Sequence, residues 1–65
     1  MSVAKVIEII AEGDSLEDAM ENAAKEASKT LKNVRSIYAD GVKAWVKDGK
    51  IVSYRVNCKV TFVLD

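Results

Sequence analysis

The sequence predicts an α+β fold of the order β-α-β-β, with a three-stranded antiparallel sheet (strand order 1-3-2) and one helix packed on one face. Three observations predict it. From Val52 to Leu64 the even positions are Val, Tyr, Val, Cys, Val, Phe and Leu, while Ser53, Arg55, Asn57, Lys59 and Thr61 alternate with them. That period of two describes a strand with one dry and one wet side. Ser15 to Leu31 carries apolar residues at helical spacing between clear start and stop signals. Asp48-Gly49, set between two long strand patterns, is a strong two-residue hairpin signal.

The first strand runs over Val3 to Ala11, apolar on both sides except at Lys5 and Glu8, and Gly13-Asp14 interrupts it. In the helix, Ser15 is the capping residue and Asp18 takes the capping-box position. Glu17, Asp18 and Glu21 suit the positive end of the helix dipole, and Lys25, Lys29 and Lys32 suit the negative end. Leu16, Met20, Ala23, Ala24, Ala27 and Leu31 form its core stripe, and the alanines allow close approach to a sheet. The acidic first turn reads as a solvated helix start in preference to a cation site.

Asn33 to Lys47 forms the second strand and Lys50 to Asp65 the third. A tight Asp48-Gly49 turn sets Lys47 opposite Lys50. Counting back, Trp45 then faces Val52, Lys43 faces Tyr54, Gly41 faces Val56, Ala39 faces Cys58 and Ile37 faces Val60, all on the dry side. Ser36 with Thr61, Tyr38 with Lys59, Asp40 with Asn57, Val42 with Arg55, and Val34 with Val63 fall on the other side. A bulge near Asp40-Gly41 would exchange the faces for part of this register. A right-handed helical crossover between the first two strands, with the third inserted antiparallel between them, is the economical topology. It leaves one sheet face uncovered, with Val6, Ile10, Val34, Val42, Val46, Ile51 and Val63 among its polar groups. Such a mixed face is better explained by subunit contacts than by solvent.

Composition narrows the function classes. Sixty-five residues make one domain, 1–65, and a chain this short is marginal without a disulfide, a metal or partner subunits. The one cysteine, Cys58, reads as a small buried hydrophobe, and the absence of histidine removes the common zinc constellations. Oligomerisation remains as the staple. Ten basic and ten acidic side chains cancel, which disfavours nucleic acid as a partner. No signal region or membrane-length apolar run is present, so no membrane partner and a cytoplasmic location are expected.

The residues resemble the dodecin family. The similar stretches are Lys5-Val6-Ile7-Glu8-Ile9, Leu16-Glu17-Asp18-Ala19, Ala27-Ser28-Lys29-Thr30-Leu31, Arg35, Asp48-Gly49-Lys50-Ile51-Val52 with Tyr54, and Lys59-Val60 to Phe62. The resemblance implies the same β-α-β-β fold, a hollow homododecamer, and flavins (riboflavin, FMN or FAD) held in pairs at subunit contacts for storage, without catalysis. It also implies flavin-equivalent positions at Ser36, Tyr38, Lys43 and Arg55. Ser36 stands where flavin-binding members carry a stacking Trp, Arg55 where they carry a glutamine at the ring edge, and Lys43 where some carry a basic group near the phosphate. Tyr38, two residues on from Ser36, is a partial substitute for the missing ring. The loop before the helix is about one residue shorter than in typical members.

Two functional expectations follow. One is a dodecin-like shell, not an enzyme, whose flavin pocket is retuned or lost and which serves as a small-ligand or ion-binding assembly, a cation being held by acidic groups repeated through symmetry. The other is a flavin-binding and storage protein of the ordinary family kind. Trp45, the single indole, is read as a lid on the core beside Leu16 and not as a ligand platform.

Overall fold

The computed structural model describes Val3 to Leu64. Its elements are β1 (Val3–Gly13), α1 (Leu16–Thr30), β2 (Val34–Lys47) and β3 (Lys50–Leu64). The sheet order is β1-β3-β2, with β3 antiparallel to both neighbours. The expected topology is the observed one. Asp65, placed in the third strand by the sequence, lies outside the described residues.

Local chemistry accounts for the element ends. Ser15 has extended backbone, and its hydroxyl oxygen accepts a hydrogen bond from the Asp18 amide at 3.0 Å, satisfying one free donor of the first helical turn. Leu31 closes the helix, its amide donating to the Ala27 carbonyl at 3.0 Å. Asp48 and Gly49 have φ of 53° and 78°, the pair of positive values that a type I′ hairpin turn requires. β1 runs two residues beyond the expected Ala11, because β3 is long enough to pair Glu12 with Arg55 and Gly13 with Tyr54. Gly13 is needed there for its missing side chain. A Cβ on it would stand 2.5 Å from the Ala19 nitrogen, so strand end and helix start could not meet. The Asn22 amide donates to the Glu12 carbonyl at 2.8 Å across the same junction.

The core is the seam between α1 and the inner face of β3. Ala19, Ala23 and Ala27 pack against Val56, Cys58 and Val60, with Phe62 at one end. Ile7, Ile9 and Ala11 of β1 and Ile37 of β2 border it. Cys58 is buried, as expected of a small hydrophobe, and burial pushes its thiol pKa up from the ordinary value of 9.0.

The register of β2 against β3 agrees with the sequence reading from Ser36 to Ala39 and, at the hairpin, for Val46 opposite Ile51 and Lys47 opposite Lys50, and departs from it elsewhere. Between Ala39 and Val42 the ladder slips by one residue, so Val42 pairs with Val56, Lys43 with Arg55, Ala44 with Tyr54 and Trp45 with Ser53. A second irregularity, between Trp45 and Val46, leaves Val52 as an extra residue and restores the original count. A one-residue slip turns every side chain to the other face. Lys43 and Trp45 therefore join Arg55 and Ser53 on the outer face, correcting their expected place beneath the helix. Val42 moves the other way. A third irregularity, at Arg35, pairs Val34 with Phe62 and packs it against the core, where outward placement opposite Val63 was expected.

Candidate functional site

The outer face of the sheet carries the polar positions of β3, and its neighbours on β1 and β2 are set by the register. Toward the hairpin end, Lys43, Trp45 and Arg55 cluster. The Arg55 guanidinium carbon lies 4.9 Å from the centre of the Trp45 ring, and the Lys43 Nζ lies 5.1 Å from it. Both cations are within range of attraction to the indole π face. Arg55 also donates from Nε and from a terminal nitrogen to one Glu12 oxygen, at 3.1 and 2.9 Å. Glu12 and Arg55 are cross-strand partners, so the backbone register delivers this pair. Its exposure keeps its stabilising effect to about 1 kcal/mol or less, and its main consequence is to hold the guanidinium over the ring.

Two open hollows extend from this cluster along the same face. One, of about 340 Å³, is lined by Ile10, Gly41, Val42, Lys43, Arg55 and Asn57. The next, of about 370 Å³, shares Ile10 and Asn57 and is bounded by Glu8, Asp40 and Lys59. Lys59 and Asp40 form an ion pair at 3.3 Å. Gly41, beside Asn57, leaves the floor of the trough without a side chain. The trough is thus apolar at Ile10, cationic at one end and ion-paired at the other.

A match to the sequence profile of the dodecin family spans residues 3–65. The chain belongs to the dodecin family. Solved dodecin structures superpose closely on it. The dodecin from Streptomyces davaonensis is 29% identical with a TM-score of 0.86, over 98% of this chain and 96% of that one. The dodecin from Streptomyces coelicolor is 26% identical with a TM-score of 0.87, over 98% and 93%. A point variant of the T. thermophilus dodecin reaches a TM-score of 0.90 at 24% identity, over 100% and 98%, a likeness of fold. No curated protein matches the chain.

Within this dodecin fold the four positions that the resemblance equates with flavin contacts fall into two groups. Lys43 and Arg55 are direct cross-strand partners at the hairpin end. Ser36 and Tyr38 pair with Thr61 and Lys59 at the opposite end of the same face. Thr61 is six residues from Arg55, which at about 3.3 Å per residue is roughly 20 Å along the strand. One chain does not bring the groups together. Sequence reasoning reads Trp45 as a lid on the core, and the register shift between Ala39 and Val42, at the place where a bulge near Asp40-Gly41 is the alternative, turns it to the outer face instead. Among the described residues no group of three acidic, cysteine or histidine side chains is arranged to hold a metal, and no helix is long and apolar enough to cross a membrane.

Proposed function

We propose that this chain is a self-assembling, non-catalytic binder of planar anionic small molecules, a single-domain dodecin whose flavin-type pocket is retuned. The observation that carries the reading is the outer-face placement of Trp45, with the Lys43 and Arg55 cations each about 5 Å from its ring. An aromatic ring stacked there gains about 0.5–1.5 kcal/mol beyond the burial of its area. Lys43 and Arg55 supply the charge for a phosphate or carboxylate on the same ligand, and the Arg55 plane can itself stack. The aromatic platform that the Ser36 position lacks is thereby replaced by one from a different part of β2. An FMN-like ligand, a fused ring bearing a phosphate, fits this combination of groups.

Self-assembly is supported by the balance of buried and exposed apolar groups. The buried core consists of three alanines with Val56, Cys58, Val60 and Phe62, while Val6, Ile10, Tyr38, Val42, Val46 and Ile51 stand exposed. Isolated chains of this size with so small a core need a further staple. Family-type flavin storage between subunits is the second reading. It is favoured by Tyr38, exposed on the same face as Ser36 and able to form half of a ligand contact completed by another copy. A bound cation would likewise draw its ligands from several copies.

The test is a titration of the assembled protein with FMN and with riboflavin, following indole and flavin emission separately. Trp45 is the sole tryptophan, so indole quenching reports on the proposed platform directly. Saturable quenching of both signals, tighter for FMN than for riboflavin, is the expected result. Flavin quenching with unchanged indole emission supports the second reading. No quenching of either at micromolar protein overturns both.

A further inference from the structure

Of the two cations beside Trp45, one is already engaged. Arg55 donates from Nε and from a terminal nitrogen to the same Glu12 oxygen, at 3.1 and 2.9 Å, so one edge of its guanidinium is taken. Its terminal edge alone is left to meet an anion on a ligand. Lys43, 5.1 Å from the ring centre, forms no ion pair among the described residues. Lys43, Arg55 and Glu12 together therefore present a single positive charge, where the two cations alone would present two.

Glu12 is anchored from behind. Its carbonyl accepts the Asn22 side-chain amide at 2.8 Å, which ties this end of β1 to α1. Gly13, the next residue, lies so close to the helix start that a Cβ has no room. Pairing with Arg55 across the sheet then sends the Glu12 side chain out on the same face as the guanidinium. The pair is open to water, with side-chain exposures of 39% for Arg55 and 54% for Glu12. An ion pair so exposed stabilises the fold only weakly. Its larger effect is on the charge that the cluster offers to a ligand.

We infer that Glu12 is a positioning residue that sets the charge selectivity of the Trp45 site. It holds Arg55 beside the ring and at the same time acts as an anion built into the chain. A phosphate on a ligand must share Arg55 with Glu12 or displace it. A phosphate monoester carries about −1.5 to −2 charge at pH 7, so the Glu12 carboxylate opposes it more strongly than it opposes a single negative charge. Glu12 thus narrows the preference for a phosphate-bearing ring over an uncharged one, and a planar molecule with one negative charge matches the cluster as it stands. This inference rests on the Trp45 reading proposed above and assigns the selectivity of that site.

The test titrates FMN and riboflavin into the full chain and its variants, with flavin emission as the readout and circular dichroism to follow folding. The two ligands share a ring and differ in the phosphate, so the ratio of their dissociation constants isolates the charge. Glu12→Gln should raise the preference for FMN at least threefold and steepen its loss with added salt. Glu12→Thr, a second neutral replacement suited to a strand, should do the same and carries the test if Glu12→Gln fails to fold. Glu12→Asp keeps the charge and should leave the ratio within twofold of wild type. A merely structural role would weaken both ligands together and leave the ratio unmoved. Binding of both flavins with a ratio that neither neutral variant changes overturns the inference and leaves the Trp45 site standing. A wild type that binds neither flavin overturns both.

Discussion

Lys43 and Arg55 face each other directly across β2 and β3, although strict alternation counted back from the hairpin pairs Lys43 with Tyr54 and Arg55 with Val42. This single relationship turns Trp45 outward and makes a cationic, aromatic end to the exposed face of the sheet.

Removal of the indole tests that end. Trp45→Phe keeps a ring and should weaken FMN binding by only a few-fold. Trp45→Ala should weaken it by roughly 30- to 150-fold, since aromatic contact and burial together contribute on the order of 2–3 kcal/mol. Flavin emission is the readout for both, as neither variant retains an indole. Equal affinities for wild type and Trp45→Ala would remove Trp45 from the site.

Ser36→Trp tests the other end. It adds a ring on the outer face beside Tyr38, where flavin-binding dodecins are expected to carry theirs. Flavin affinity should rise at least tenfold, about 1.4 kcal/mol. An unchanged dissociation constant would show that the Ser36 end takes no part in ligand contact.

Gly13→Ala should destabilise the fold by about 1–3 kcal/mol, because its Cβ meets helix backbone that cannot rotate aside. Ser15→Ala removes only the cap and should cost about 1 kcal/mol. Urea denaturation of the two variants side by side checks the order. A Gly13→Ala protein as stable as wild type would contradict the tight strand–helix junction.

Cys58 should resist thiol reagents in the folded protein at pH 8 and react at once in denaturant. Its folded pKa is raised by burial, so its contribution to stability is fully present below pH 9.0 and is lost as pH climbs through the higher folded value. Denaturation midpoints of wild type and Cys58→Ala, compared from pH 8 to 10.5, should show the extra loss at high pH only in wild type.

The sequence by itself determined the elements and their order. The alternation of β3, the Ser15 cap and the Asp48-Gly49 turn are local signals, and local geometry is enough to satisfy them. It also placed Ser36, Tyr38 and Arg55 on the outer face, because the register there is unbroken or belongs to the regular central strand. Tertiary structure alone decided the face of Lys43 and Trp45. A period of two carries no memory of position, so one slipped residue inverts every later side chain, and the slip between Ala39 and Val42 depends on how β2 twists to pair with β3. The separation of the candidate positions into two ends of one chain has the same origin: closeness across a sheet is set by register, which sequence spacing does not record.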